Sequence, residues 1–313
     1  MSKYRQALPQ ADGRLFLSDG GMETALIFLQ GVDLPQFASF VLLESESGRA
    51  ELVKYYEKFL PIARSKNVGF VLDTATWRAS LDWGEVLGFD ADRLTAVNVA
   101  AIDLVAGLRD WWETPETPIV LNGAIGPRGD GYKAGRMDVA EAQDYHAFQV
   151  EIFAGTQADM ISAITMNTVN EAVGIALAAR AADMPCVVSF TVETDGKLVD
   201  GTSLRAAIEA TEEATGASPA YYMVNCAHPT HFEQALARDE DWVKRIRGVR
   251  ANASAKSHAE LDDSDTLDIG DIAGLSGHYK SLTRNFPSMR VLGGCCGTDH
   301  RHLAAISEAV VPI

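Results

Sequence analysis

Apolar and β-branched residues gather in eight short runs, centred on Leu15 to Asp19, Val68 to Thr74, Pro118 to Gly123, Met160 to Thr165, Cys186 to Val192, Ala220 to Cys226, Gly248 to Asn252 and Met289 to Gly294. Runs of this length and composition predict strands buried on both faces. Between them the apolar positions change period. Leu52, Tyr56, Phe59 and Ala63, and again Ile272, Leu275, Tyr279, Leu282 and Phe286, are spaced by threes and fours, which marks one face of a helix. Asp138 followed by Glu141 predicts a capping box that opens a helix through Ile152, and Pro61 predicts a kink in its own helix. Strand and helix alternate with no cluster of hairpin turns, so the sheet is expected to be parallel. Eight units favour a closed (β/α)8 TIM barrel over an open doubly wound sheet. No linker or low-complexity tract divides the chain, so residues 1–313 read as a single barrel domain.

Three insertions break the regular spacing: Phe28 to Ser45, Ile125 to Met137, which is rich in glycine and charge, and the acidic stretch Ala253 to Asp268. Each follows an expected strand, and therefore falls on the barrel face where enzymes of this architecture keep their chemistry. Charge narrows the partners. The chain has 27 Lys plus Arg against 43 Asp plus Glu, and the resulting −16 repels phosphate backbones and anionic lipid surfaces. No N-terminal stretch pairs a basic region with an apolar run, and no segment approaches the roughly 18 uninterrupted apolar residues of a membrane helix. The expectation is a soluble, cytoplasmic protein that binds neither nucleic acid nor membrane. Its oligomeric state, a homo-oligomer included, is left open.

The candidate chemistry lies in the cysteines, of which there are four. Too few for a disulfide framework, they are expected to be reduced; adjacent Cys295 and Cys296, with α-carbons about 3.8 Å apart, are too close for an easy bridge. Three of them sit where strands end: Cys226 after Asn225, and Cys295 and Cys296 within Gly293-Gly294-Cys295-Cys296-Gly297-Thr298. In a parallel barrel those ends meet at one rim, so three thiolates could converge on one metal ion and leave a fourth position open. Soft sulfur donors describe zinc better than magnesium or calcium. Zinc in such a site would hold a substrate thiol as thiolate at neutral pH, ready to attack a carbon electrophile. The alternative stays open at this point, because cysteine is among the most buried residue types and glycines suit any tight strand end. Cys186, inside its strand, is expected in the core. His228, His300 and His302 are weaker candidates as ligands, since loop histidines are usually solvated.

These residues carry a resemblance. The chain resembles the homocysteine S-methyltransferases, zinc-dependent barrels that methylate the thiol of homocysteine to make methionine. The most specific matches are Gly293 to Thr298 and Asn225-Cys226. Supporting ones are Asp19-Gly20-Gly21 with Thr24 and Leu26, Gly126 to Asp130, and Ser189-Phe190 through Asp195-Gly196 and Gly201. The resemblance implies a Zn2+ cofactor held by Cys226, Cys295 and Cys296. It implies that Asp19 holds the substrate amino group, with Gly20 and Thr74 near the amino-acid carboxylate. It also places Asn225 beside the ligand, orienting the metal surroundings or capping the strand, and Asn252 where the family has a Pro-Asn pair, here preceded by Ala251. The partners implied are a small-molecule thiol, homocysteine first, and a methyl donor.

Departures from the pattern bear on specificity. The family usually has a glutamate before the threonine that follows strand four, a second contact to the substrate ammonium; this chain reads Ala163-Ile164-Thr165-Met166. Losing one of two carboxylate contacts to a desolvated ammonium costs about 1.5–3 kcal/mol, which opens the way to a different thiol. After strand two a Thr-Asn-Thr-aromatic pattern becomes Thr74-Ala75-Thr76-Trp77, and Arg78 stands where betaine-using members carry tyrosine. No separate nucleotide-binding, folate or cobalamin module accompanies the barrel. A small onium donor of the S-methylmethionine, S-adenosylmethionine or betaine type is therefore expected, with Trp77 or Tyr132 offering a ring face to its cation. Two other readings are a zinc-containing thiol-binding or sensing barrel without turnover and a hydrolase using zinc-bound water.

Overall fold

The structure is a computed structural model that describes residues 1–238 and 240–311. Eight parallel strands close into a barrel in sequence order. They are β1 (Phe16–Leu17), β2 (Gly69–Asp73), β3 (Ile119–Ile125), β4 (Met160–Met166), β5 (Cys186–Phe190), β6 (Tyr221–Asn225), β7 (Ile246–Ala251) and β8 (Val291–Gly294), with β8 pairing back onto β1. The bounds of each lie within a residue or two of an expected run, β1 being the shortest, paired only at Phe16 and Leu17.

Alternation along the strands builds two cores. Phe16, Val71, Val120, Met160, Val187, Tyr221 and Val291 point inward and fill the barrel, and the N-terminal segment adds Leu8 to the same cluster. Their neighbours Leu17, Phe70, Leu72, Leu121, Val188 and Val224 face outward and pack under the helices. A period of two is what a strand demands; both faces read as apolar because both are covered. Among the described residues no helix is long and apolar enough to cross a membrane.

Two helix expectations are corrected. Pro61 does more than kink its helix: two helices form, Glu46–Tyr56 and Leu60–Lys66, with Pro61 in the first turn of the second, where its missing N–H costs no hydrogen bond. Asp138 does cap the helix Val139–Ala154, accepting from the Glu141 amide at 2.9 Å. The capping box is only half made, because the Glu141 carboxylate turns instead to the Arg128 guanidinium, 2.8 Å away.

The three insertions lie at the C-terminal ends of the strands. The first holds the 3-10 segments Pro35–Phe37 and Ser39–Glu44, the second is irregular, and the third contains the short helix His258–Asp262, opened by a complete capping box between Ser257 and Glu260. Around this rim Thr165 and Cys226 both have left-handed backbone, φ 65° and 53°. A β-branched residue rarely adopts that conformation, and it persists where surrounding structure enforces it.

Candidate metal centre

Cys226 follows β6, and its neighbour Asn225 explains how it is held. The Asn225 side chain is fully buried and accepts from the Thr165 amide at 3.0 Å and from Ser189 Oγ at 2.6 Å, while its Nδ2 donates to Thr165 Oγ1 at 2.9 Å. It ties the ends of β4, β5 and β6 together. The Cys226 amide donates to the Arg250 carbonyl at 3.1 Å, and the Cys226 carbonyl accepts from Asn252 Nδ2 at 2.9 Å. On the other side of the rim Gly293 and Gly294 end β8 in close contact with their surroundings. A Cβ on Gly293 would collide with Ser18 Oγ, and one on Gly294 with Thr298 Oγ1. Cys295 donates to the Ala251 carbonyl at 2.8 Å, and its own carbonyl accepts from both the amide and the hydroxyl of Thr298, which folds the chain back so that Cys296 returns to the rim.

The result is one group of three sulfurs, Cys226, Cys295 and Cys296, all within 4.8 Å of one another. Cys226 and Cys295 are joined as a disulfide, with α-carbons 5.3 Å apart, and Cys296 is a free thiol. Reduced thiols at all four positions were expected; convergence at the rim brings two sulfurs from distant parts of the chain into bonding contact, and the expectation stands only for Cys186 and Cys296. The bridge does not join the adjacent pair. In reduced form the same three sulfurs fit a thiophilic metal, and no competing oxygen ligand belongs to the group. Burial pushes the Cys296 thiol up to about 11, with Glu23 and Asp262 adding to the rise and a contact from Tyr132 Oη, 3.8 Å from the sulfur, opposing it. Cys186 lies in the outer core, pushed up to about 12 by burial alone.

Beneath the sulfurs runs a buried polar chain. The Arg250 guanidinium reaches inward from β7, pairs with Asp73 through Nη1, and donates through Nη2 to Asp19 Oδ1 at 2.5 Å. Its Nε donates to the Gly294 carbonyl at 3.2 Å. Tyr55 Oη donates to Asp19 Oδ2 at 3.0 Å; Asn122 Nδ2 donates to Asp73 Oδ1 at 2.7 Å and in turn accepts from Ser162 Oγ at 3.0 Å. Burial raises the Asp19 carboxyl to about 7, Arg250 pulling it down and the neighbouring Asp73 charge pushing it up. Burial would lower Arg250, but the two carboxylates outweigh it and hold its charge firmly.

The profile of the homocysteine S-methyltransferase family matches residues 16–310. The chain belongs to the homocysteine S-methyltransferase family. This is a methyltransferase. Crystal structures of the homocysteine methyltransferase MmuM from Escherichia coli share the fold. The oxidized form superposes with a TM-score of 0.72 at 19% identity, covering 97% of this chain and 98% of that one. The metallated form gives 0.70 at 18% identity, covering 95% and 96%. No curated protein matches the sequence significantly.

Within this family member the substrate residues implied by resemblance fall at the rim with their polar atoms largely engaged. Asp19 is buried against Arg250 and Tyr55. A Cβ on Gly20 would come within 2.7 Å of the Thr298 carbonyl oxygen, so glycine is required there for contact with the cysteine loop. Thr74 Oγ1 shares a 2.6 Å hydrogen bond with Thr76, donates to the Asn122 carbonyl and accepts from the Ala124 amide, tying β2 to β3. Asn252 Oδ1 is buried without a partner. Ile164 is half-buried at the end of β4. One face of the Trp77 ring already meets a cation: the Arg78 guanidinium lies 4.9 Å from its centroid and 4.0 Å from that of Trp83. Tyr132 does reach the centre, stacked on His258 at 4.0 Å.

Sequence reasoning missed His258, Glu193 and Arg250. His258 Nε2 lies 2.6 Å from the Cys226 carbonyl and Nδ1 3.0 Å from Glu193 Oε1, so a residue of the third insertion braces the Cys226 loop. Only the Ser257–Glu260 capping pattern hinted that this loop was ordered. Arg250 was visible as the one charge inside the expected run Gly248 to Asn252, and a buried charge requires a partner. His228 does not join the sulfurs. It caps Pro229–Phe232 beside His231 and His278, and burial and those rings push it down to about 4. His300 and His302 serve the start of the last helix, His302 through Asp299 and the Ile269 carbonyl.

Proposed function

We propose that the protein transfers a methyl group from a small onium donor to the sulfur of a small thiol, with zinc held by Cys226, Cys295 and Cys296. The observation that carries the reading is the convergence of three sulfurs from the ends of β6 and β8 within 4.8 Å. Zinc bound there would supply Lewis acidity that keeps the acceptor sulfur deprotonated at neutral pH. The chain's own residues do the rest. Asn225 and His258 hold the Cys226 loop, and Tyr132 places a hydroxyl against Cys296. Glu23 and Asp262 make the surroundings of Cys296 negative, which favours a cationic donor over an anionic one. In the reaction the acceptor sulfur forms the new S–CH3 bond. The bond from the methyl carbon to the onium centre breaks with its electron pair, and the donor leaves as a neutral molecule or, from betaine, as an amine; the thiol proton goes to solvent. Three thiols in this arrangement suit a reducing compartment such as the cytoplasm.

The test is direct. Reduced protein should carry about one zinc per chain and convert at least one of a panel of small thiols, homocysteine and ammonium-free thiols among them, to its S-methyl product, read by mass spectrometry with S-methylmethionine, S-adenosylmethionine and betaine as donors. Zinc bound with no methylation by any donor across a panel of thiols would sink the reading. Family membership sets it ahead of a sensing barrel or a hydrolase.

A further inference from the structure

Arg250 lies inside the barrel mouth, buried, and between two carboxylates. Every oxygen of those carboxylates has a donor: Asp19 Oδ1 from Arg250 and Oδ2 from Tyr55, Asp73 Oδ1 from Asn122 and Oδ2 from Arg250. The same residue touches the cysteine loops twice, its carbonyl accepting from the Cys226 amide and its Nε donating to the Gly294 carbonyl, directly before Cys295. The cation is therefore built in beside the sulfurs. On β4, half-buried Ile164 packs an aliphatic group against the apolar cluster inside the barrel. Two unpartnered polar atoms of neighbouring strand ends, Asn252 Oδ1 and Ser18 Oγ, are neutral and cannot balance a charge.

An ammonium brought to this place would meet a fixed guanidinium of like charge and carboxylates whose oxygens are already engaged. Displacing the guanidinium would leave it buried and unpaired, a change strongly opposed in a desolvated site. We propose that Arg250 is a specificity-determining residue that fills the position an acceptor's ammonium group would occupy, so that the thiols this protein takes carry no ammonium on their carbon chain. The inference rests on the thiol methyl-transfer reading for the role of the site, and it narrows the acceptor class.

Two matched pairs of thiols test it on the reduced, zinc-loaded protein: homocysteine against 4-mercaptobutanoate, and 3-aminopropane-1-thiol against propane-1-thiol. Within each pair only the ammonium differs. Calorimetric titration is expected to show the ammonium-free member binding at least about tenfold more tightly. An ammonium-bearing member that binds as tightly as its mate in either pair, or more tightly, overturns the proposal. Arg250→Leu combined with Asp73→Asn keeps the charge of the buried group at its original value and frees Asp19. In this double variant, folded by circular dichroism, the preference should turn by about tenfold or more toward the ammonium-bearing thiols. An unchanged preference in the folded double variant also overturns the proposal. Turnover is read separately: if the binding preference holds but none of the four thiols is methylated, the methyl-transfer reading fails while the assignment of Arg250 stands.

Discussion

At the scale of single residues the proposed metal site takes one ligand from each of three sulfurs, and each can be removed singly. Cys226→Ser or Cys296→Ser leaves two thiolates, and each variant is expected to keep its circular dichroism spectrum yet hold well under one zinc per chain and lose methyl transfer; a full zinc complement in either would remove that cysteine from the ligand set. Because Cys226 and Cys295 can pair, metal uptake is expected to require reduction. Denatured, oxidised protein should titrate two free thiols and reduced protein four, with zinc binding recovered only in the second sample. Tyr132 gives a finer test. Its contact favours the Cys296 thiolate against burial and nearby acids, so Tyr132→Phe should move the alkylation of Cys296 in reduced, metal-free protein to higher pH, read as iodoacetamide rate against pH. A shift to lower pH would show that the hydroxyl does not donate to this sulfur.

At the scale of elements the strand ends decide where those sulfurs point. Gly293 and Gly294 close β8 against Ser18 and Thr298 with no room for a methyl group. Gly294→Ala forces an overpacked contact between β8 and the turn that returns Cys296, and is expected to lower stability by about 1–3 kcal/mol and weaken zinc binding together, measured by urea unfolding and metal competition. Asn225 belongs to the same scale: its side chain joins three strands through three hydrogen bonds to Thr165 and Ser189. These contacts accompany the left-handed backbone of Thr165 and Cys226, at the point where the Cys226 sulfur joins the other two. The helices obey local signals with exceptions of the same kind. Glu141 leaves its capping role because a tertiary partner, Arg128, offers a charge-assisted bond.

At the scale of the whole molecule the balance of charge matters. A net −16 on 313 residues means self-repulsion in the folded state, which dissolved salt screens over a Debye length of about 8–10 Å. Raising sodium chloride from about 10 to about 150 mM is expected to raise the thermal midpoint; a midpoint that falls would place the dominant electrostatics in stabilising ion pairs such as the buried Arg109–Asp159 bridge. Closure of the barrel also explains why residues 69 and 70 positions apart, Cys226 with Cys295 and Cys296, share a site.

The periods of hydrophobicity were enough to place all eight strands, because a parallel strand covered on both faces must be apolar throughout. The cysteine signature and its family followed from residue types and order alone. Other matters were settled by the tertiary structure. Neighbours that meet only across the barrel decide whether a carboxylate is free or taken, and Asp19, legible as a rim residue, proves to be bound by Arg250 from β7, 231 positions away. Trp77 was legible as an aromatic at the rim, but that one of its faces meets the Arg78 guanidinium was not. His258 carried no signal of its own until the third insertion folded it onto the Cys226 carbonyl. Local pattern determines which elements form, since it records burial along one segment; the partners of each polar group depend on which segments closure brings together.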